Sequence, residues 1–363
     1  MRNLKFLRQH PARILKYCIT TLQVAALITT SCATLPSLAA DAGWRSITTP
    51  GPTADAPPVP VMLYYPSKAT ERVIPMGPFT VTVAPGAQPE AQIKGLILLS
   101  HGTGGSELGH TSLAQALAQN GYLVAALRHA GDNWQDQSLL TQDGGARFFT
   151  ERPKQASRVI DAILSDELWR SKIASDARGF KVGAIGHSAG GYTVIALAGG
   201  DAEPNQIRSH CEANRAVDPI FCGMSPKVDV TMASASGDKT QSFSTAGLLK
   251  DSRVRAVVAL SPLGVPFSAA SLASVKVPTL IYHAEKDRFL VTRFHGDWIA
   301  KNMPSAQYQL VPNAWHFAFM DKPTSPVGSA DGDIGADPSG FDRPAFLKQL
   351  GRDVSVFFDT AMQ

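Results

Sequence analysis

Long hydrophobic runs are absent from this 363-residue sequence. The apolar N-terminal stretch, residues 18–30, is only about 13 residues long, whereas a helix that crosses a bilayer needs roughly 20. Hydrophobic residues make up 44% of the chain and charged residues 18%, as in an ordinary globular protein. A mainly disordered or membrane-embedded chain is therefore excluded, and the function must be sought in local motifs.

An excess of positive charge is also absent from the chain after its N-terminal segment. The formal net charge is +4, but five basic residues and no acidic residue precede position 41: Arg2, Lys5, Arg8, Arg13 and Lys16. The rest of the chain has 29 basic against 30 acidic residues, a net charge of −1. This balance gives no support to binding of nucleic acid or of an anionic membrane surface.

The basic residues, the short apolar run and the small residues up to position 42 follow one another in the order of a signal peptide. We expect a signal peptide over residues 1–40, a secreted or periplasmic protein, and no stable membrane insertion of the mature chain. Residues 37–39 and 40–42 both offer cleavage positions. Lipid attachment at Cys32 is a less favoured alternative, because Thr29 is a poor third residue before a lipoprotein cysteine.

Cysteine is scarce, and Cys18 and Cys32 of the four fall within the predicted signal peptide. An oxidising compartment would join Cys211 and Cys222 in a disulfide, which would stabilise so short a loop by roughly 3 kcal/mol. Two unrelated free thiols are the alternative. Spacings typical of a metal site, a G-x-G-x-x-G motif or a phosphate loop are absent, so we expect no metal and no cofactor.

Buried apolar runs alternate with helical patterns from residue 93 onward. Strands are predicted at 93–99, 122–127, 180–185, 254–260, 279–283 and 307–311, and helices at 112–119, 153–164, 189–198, 292–301 and 343–358. Continuous β-branched and leucine-rich runs indicate strands that are covered on both faces. The sequence thus predicts an α/β fold with a mostly parallel central sheet flanked by helices.

Three segments lie outside this alternation. Residues 59–65 and 79–83 are predicted to form an opening pair of antiparallel strands. Residues 201–250 are polar and hold both mature cysteines, so we expect a cap insertion there, directly after helix 189–198. Residues 321–342 are rich in Gly, Asp, Ser and Pro and indicate a long loop. One domain is expected over residues 41–363.

The motif Gly186-His187-Ser188-Ala189-Gly190 follows a predicted strand and opens a predicted helix. In this G-x-S-x-G context the serine sits on a sharp strand-to-helix turn, where a Cβ at the flanking positions would collide with backbone. The turn lifts the hydroxyl above the sheet. We therefore predict Ser188 as a nucleophile.

A second glycine-rich segment, His101-Gly102-Thr103-Gly104-Gly105, follows the first long buried strand. Acyl transfer places negative charge on a carbonyl oxygen, which two backbone N–H groups can stabilise. One donor follows the nucleophile and is predicted to be Ala189, and the other is predicted to be Thr103 of this loop. An ordinary glycine turn is the alternative for this segment.

A serine nucleophile needs a base, and the base needs an orienting carboxylate. Of the nine histidines, His316 lies just past the final predicted strand, where the chain order serine, acid, histidine requires it. Asp287 follows the penultimate strand and is the predicted acid. Glu285 lies close to the strand end and Asp297 lies within a predicted helix, so both are rivals of lower rank.

These motifs, with Arg152-Pro153 leading to Asp161 in a predicted helix, resemble those of alpha/beta hydrolases of the platelet-activating factor acetylhydrolase and predicted dienelactone hydrolase group. The resemblance covers most of the mature chain and implies an α/β-hydrolase fold acting on a small-molecule ester or lipid-like substrate. True dienelactone hydrolases use a cysteine nucleophile, so Ser188 favours simple carboxylic esters. The Cys211 and Cys222 pair also resembles secreted bacterial members.

The expected function is hydrolysis of carboxylic esters through an acyl-enzyme on Ser188, with a short-chain preference implied by the resemblance. An amidase or peptidase with the same triad is the main alternative, because a fold does not fix a substrate. A non-catalytic binding protein of the same fold would be expected to lack a triad residue, and all three are present.

Overall fold

A computed structural model describes residues 40–141, 147–203, 205–224, 245 and 247–363. Residues 1–39 of the predicted signal peptide, with Cys32, and residues 204, 225–244 and 246 of the predicted cap lie outside these ranges. Within them, no helix has both the length and the apolar character needed to cross a bilayer.

A ten-stranded sheet forms the centre of the described domain. The described strands are β1 (Asp41–Thr49), β2 (Val59–Ser67), β3 (Arg72–Met76), β4 (Phe79–Pro85), β5 (Leu96–Ser100), β6 (Leu123–Leu127), β7 (Ser175–Asp176), β8 (Gly179–Phe180), β9 (Val182–His187), β10 (Val254–Leu260), β11 (Thr279–Ala284), β12 (Ala306–Val311), β13 (Gly328–Ser329) and β14 (Gly332–Asp333). The sheet order is β12-β11-β10-β9-β5-β6-β2-β1-β4-β3. The strands from β12 to β6 run parallel, which confirms the predicted, mostly parallel sheet.

Helices cover both faces of the sheet. The described α-helices are α1 (Thr111–Gln119), α2 (Ser138–Thr141), α3 (Phe148–Ser165), α4 (Glu167–Arg170), α5 (Ala189–Leu197), α6 (Asn205–Asn214), α7 (Pro219–Met224), α8 (Ala269–Ser274), α9 (Gly296–Asn302) and α10 (Arg343–Ala361). Alternate residues of a strand serve opposite faces. Leu96 and Leu98 of β5 pack on the side of α3 and α5, and Ile97 and Leu99 pack on the side of α1 and α10.

The opening strands differ from expectation. The two segments predicted to pair, β2 and β4, are not neighbours, because β1 lies between them, antiparallel to β2 and parallel to β4. The β1–β2 register runs from Asp41 opposite Ser67 to Thr49 opposite Val59. Strand order at this edge depends on partners that local patterns do not specify.

The strand order reverses next to β5. The chain runs from β5 to β6 on one side, whereas β9 and β10 lie on the other. In open α/β sheets, ligands bind outside the carboxyl ends of the strands at such a switch point. The loop after β5 and the turn after β9 meet at this place.

Helix α3 begins at Phe148, five residues before its predicted start, and contains Pro153. Because proline has no N–H, the carbonyl of Phe149, four residues earlier, receives no helical hydrogen bond from it. Tyr192 of α5 donates its hydroxyl to this carbonyl at 2.7 Å. The contact ties α3 to the helix that follows Ser188.

The described part of the predicted cap contains α6 and α7, which the Cys211–Cys222 disulfide joins. Asp218 lies between the two helices and is fully buried. Its carboxylate accepts hydrogen bonds from His210 at 2.9 Å and from His295, which precedes α9, at 3.3 Å. The two helices are therefore fastened to the segment that follows β11.

Candidate active site

Ser188 lies between β9 and α5 with a φ of 56° and a ψ of −117°, a region that non-glycine residues rarely adopt. Its N–H donates to the Leu260 carbonyl at 2.9 Å, and its own carbonyl accepts from the Leu263 N–H at 3.1 Å. A Cβ at Gly190 would overlap the Ser100 carbonyl, so the close approach of the turn to β5 requires glycine. Ser188 is partly accessible, whereas both of its chain neighbours are buried.

Asp287 and His316 form a buried hydrogen-bonded pair. The Nδ1 atom of His316 donates to Oδ2 of Asp287 at 2.7 Å. Oδ1 of Asp287 accepts the backbone N–H groups of Phe289 at 2.9 Å and Leu290 at 2.8 Å. Burial alone would raise the pKa of Asp287, but His316 and these hydrogen bonds outweigh burial and lower it. The carboxylate is thus ionised, and because Nδ1 of His316 is turned toward it, Nε2 is the ring nitrogen that faces away from Asp287.

His187, the residue before the nucleophile in the glycine-rich motif, holds the backbone of His316. Its Nε2 donates to the His316 carbonyl at 3.0 Å, and the two ring centroids lie 4.9 Å apart. The residue before Ser188 therefore fixes the segment that carries the predicted base. The motif itself gives no sign of this contact, because the partner is 129 positions away.

The two rival acids have other partners. Glu285 accepts the backbone N–H of Asn313 at 2.8 Å. Asp297 accepts the Tyr308 hydroxyl at 2.6 Å and lies in the first turn of α9 rather than in mid-helix, because a 3-10 turn at Thr292–Phe294 interrupts the predicted helix. Among the three acids that were weighed, Asp287 is the one that the structure joins to His316.

The loop after β5 passes directly beside Ser188. A Cβ at Gly102 would lie 3.1 Å from the Ser188 Cβ. The N–H groups of Gly104 and Gly105 are engaged, by Asp132 at 2.8 Å and by the Gly102 carbonyl at 3.1 Å. The N–H of Thr103, an exposed residue, has no acceptor in the described part of the chain.

Ala189 is the first residue of α5, a position whose N–H has no acceptor within its own helix. It follows Ser188 immediately, as the prediction of an oxyanion donor requires. Both predicted donors therefore belong to segments that meet at the switch point, Thr103 to the loop beside Ser188 and Ala189 to the first turn of α5.

Comparison with known proteins identifies the family. A family model described as "Alpha/beta hydrolase family" matches residues 96–328, more than half of the chain. This chain belongs to the alpha/beta hydrolase family. The match confirms the predicted fold and superfamily, and the narrower resemblance to the acetylhydrolase group stays a prediction.

Solved structures resemble this alpha/beta hydrolase at low sequence identity. A ferulic acid esterase from Streptomyces cinnamoneus has a TM-score of 0.57 and 19% identity, with 90% of each chain covered. A dienelactone hydrolase from Anabaena variabilis has a TM-score of 0.48 and 15% identity, over 89% of this chain and 100% of its own. No curated protein sequence matches this hydrolase significantly.

A buried polar network under the loop was missed by the sequence analysis. Arg152 and Asp132 form an ion pair in which neither side chain is exposed. The available signal was the position of Arg152 on the apolar face of α3, in helical spacing with Ala156, Val159 and Ile163. A charged residue at such a core position indicates a buried partner.

One group of described side chains has the spacing of a metal site, namely His210, Asp218 and Cys222, whose ligand atoms lie within 4.8 Å of one another. Metal ligation requires a thiolate, and the Cys222 sulfur is bonded to Cys211. The Asp218 carboxylate already accepts hydrogen bonds from His210 and His295. In the oxidised protein this group is better suited to fastening α6 and α7 than to binding a metal.

Proposed function

We propose that this protein is a serine hydrolase that cleaves carboxylic esters, with Ser188 as nucleophile, His316 as base and Asp287 as the orienting acid. The observation that carries the proposal is the strained Ser188, which lies at the switch point beside Gly102 of the loop, directly before α5, and next to the segment of the Asp287–His316 pair. Nucleophile, oriented base and oxyanion donors are together the requirements of acyl transfer.

In the proposed mechanism, His316 Nε2 accepts the proton of Ser188 while the serine oxygen attacks the ester carbonyl carbon. The carbonyl oxygen becomes an oxyanion that accepts hydrogen bonds from the N–H groups of Thr103 and Ala189. His316 then protonates the alcohol, which leaves, and Ser188 keeps the acyl group. Water activated by His316 attacks the acyl-enzyme and releases the acid. Asp287 stabilises the imidazolium in both steps.

Simple esters with short acyl chains are the proposed substrates, on the basis of the resemblance and of a serine in place of the cysteine of dienelactone hydrolases. The ferulic acid esterase from Streptomyces cinnamoneus shares the fold, so aromatic-acid esters belong among the compounds to be tested. Amides and peptides are the second candidate class, because the same groups can attack both bond types.

We also propose that the mature chain begins near residue 41 and acts in the periplasm or outside the cell. The N-terminal order of basic, apolar and small residues supports export. The Cys211–Cys222 disulfide agrees with an oxidising compartment. Mass measurement of the exported protein tests the cleavage site and separates it from lipid attachment at Cys32.

The test of function is hydrolysis of p-nitrophenyl esters from acetate to palmitate, of methyl ferulate and of matched p-nitroanilides by the purified protein. Ser188→Ala is expected to lower kcat by several orders of magnitude, up to about 10⁶-fold as in other serine hydrolases. Ser171→Ala, at an exposed hydroxyl that bonds to the Leu168 carbonyl, is the matched control.

A fluorophosphonate probe gives a second readout that does not depend on the choice of substrate. It should add covalently to the peptide that contains Ser188 and not to the Ser188→Ala protein. Equal hydrolysis by wild type and Ser188→Ala would refute the proposed nucleophile. Anilide turnover comparable with ester turnover would favour the amidase alternative.

A further inference from the structure

We propose that the buried pair of Arg152 and Asp132, here called the clamp, sets the spacing between the two N–H groups that would bind the oxyanion. The inference rests on the proposed acyl transfer and deepens it. Neither side chain is exposed, so the clamp residues touch no substrate and act as positioning residues.

On the loop side, the clamp holds the backbone both before and after Thr103. Oδ1 of Asp132 accepts the Gly104 N–H at 2.8 Å. Arg152 donates through Nη2 to the His101 carbonyl and, at 3.2 Å, to the Ser100 hydroxyl. Thr103 is therefore bracketed by two residues that are fixed to the same ion pair.

On the other side, the clamp reaches the helix that begins at Ala189. The Nε atom of Arg152 donates to the Thr193 hydroxyl at 3.1 Å, and this hydroxyl donates in turn to the Ala189 carbonyl at 3.0 Å. One guanidinium thus bonds to the loop of Thr103 at His101 and through Asp132 at Gly104, and reaches Ala189 through Thr193.

Two neutral histidines complete the attachment of the loop. The backbone N–H of His129 donates to Nε2 of His101 at 3.0 Å, so His101 carries its proton on Nδ1 and donates it to the Gly102 carbonyl at 2.6 Å. Burial and the charge of Arg152 both lower the pKa of His101 and His129. The rings therefore stay uncharged beside the guanidinium.

Stability alone explains such a pair poorly. Burial raises the pKa of Asp132 and lowers that of Arg152, so it opposes charge on both groups. Hydrophobic residues of similar volume often replace a buried ion pair without loss of stability. Arg152 donates hydrogen bonds to four acceptors around the two donor segments. This geometry is suited to holding the two segments at a fixed distance from each other.

The principal test is Arg152→Lys, which keeps the charge opposite Asp132 but cannot reach the loop and Thr193 together. We expect kcat on the best ester to fall about 10- to 100-fold per active site, with KM within about twofold, since small displacements of catalytic groups have such effects. Active sites are counted by fluorophosphonate titration, so that unfolded protein does not affect the rate.

Arg253→Lys is the matched control. Arg253 also joins α3 to the sheet, through Asp251, Asp161 and Ser157. It lies at the amino end of β10, however, whereas Ser188 lies at the carboxyl end of the parallel strand β9. It should leave kcat per titrated site unchanged, even where its thermal midpoint falls. Thr193→Val, which removes the link to Ala189, is a second variant for the case that Arg152→Lys does not fold, and Thr193→Ser should restore the rate.

Hydrogen exchange of the backbone amides at residues 101–105 provides a readout besides activity. Exchange should be faster in Arg152→Lys than in wild type and unchanged in Arg253→Lys. Unchanged kcat in Arg152→Lys and Thr193→Val, or unchanged exchange of the loop, overturns the clamp. If the wild-type protein hydrolyses no ester, the proposed function fails, whereas loop exchange still decides whether the clamp holds the loop.

Discussion

The Asp287 carboxylate illustrates how single atoms determine the chemistry of the site. Each of its oxygens has a separate task, because Oδ1 is held by two backbone N–H groups and Oδ2 by His316. An uncharged amide in this place would preserve the shape but could present an N–H group to Nδ1 of His316. The imidazole would then carry its proton on the wrong nitrogen.

Asp287→Asn is accordingly expected to lower kcat for ester hydrolysis by about 10⁴-fold with little change in the secondary structure. Glu285→Gln and Asp297→Asn, at the two acids that bond to Asn313 and Tyr308, should retain nearly full activity. Rates are measured beside circular dichroism spectra for all three proteins. A larger loss in either of the rivals would move the role of orienting acid away from Asp287.

Individual residues also differ in whether their role could be predicted from the sequence. Ser188, Asp287 and His316 follow from a motif and from a fixed chain order, both of which can be seen in one dimension. His187 and Asp132 act through contacts with a carbonyl 129 positions away and an N–H 28 positions away. Such partners become visible only when the chain is folded.

At the scale of elements, five of the six parallel strands, β5, β6, β9, β10 and β11, were predictable because burial on both faces forces continuous apolar runs. The sixth, β12, lies at the edge of the sheet, is mostly exposed and has no such run. Strand β1 was missed, because a mixture of buried and exposed positions with a glycine and an arginine leaves no clear pattern. Its insertion between β2 and β4 is decided by long-range pairing. The buried centre of the sheet is thus encoded locally, whereas the strand order around β1 is not.

The helices α6 and α7 have 10 and 6 residues, too few for stability in isolation. Reduction of the disulfide, or Cys211→Ser with Cys222→Ser, should therefore loosen them locally. A loss of about 3 kcal/mol corresponds to amide exchange about 100-fold faster over residues 205–224.

Exchange mass spectrometry at neutral pH measures this effect, and helix α1 serves as the internal reference because it packs against α10 in a different core cluster from the cysteines. Equal acceleration in α1 would mean that the disulfide supports the whole domain. No acceleration in residues 205–224 would mean that Asp218 and its two histidines suffice to hold the helices.

At the scale of the whole molecule, neutral histidines are concentrated in the interior. Burial lowers the pKa of six of them: His101, His110, His129, His187, His283 and His295. For His110 and His283 the pKa falls to about 4, from an ordinary value of 6.5. The folded chain therefore excludes protons that the unfolded chain binds.

We expect the free energy of unfolding to decrease steeply as the pH falls from about 6.5 toward 4, by up to about 1.4 kcal/mol per pH unit for each excluded proton. The stability that these histidines contribute is complete above pH 6.5 and is lost on acidification. Urea unfolding at a series of pH values measures it. In His110→Phe, the free energy of unfolding should change less steeply with pH, by about 1.4 kcal/mol per pH unit, which corresponds to one proton. A free energy of unfolding that does not change over this pH range would contradict the expectation.

The hydrogen bond between Tyr192 and the Phe149 carbonyl restricts which substitutions can accumulate at positions 153 and 192 during evolution. Proline at position 153 leaves that carbonyl without a helical donor, and the tyrosine hydroxyl supplies the replacement. Loss of the tyrosine alone would leave a buried acceptor bare. Loss of the proline alone would be tolerated, because a carbonyl oxygen has two lone pairs and can accept both donors. Mutational drift therefore follows an order, and we expect descendants of this chain to replace Tyr192 only after Pro153 has been replaced.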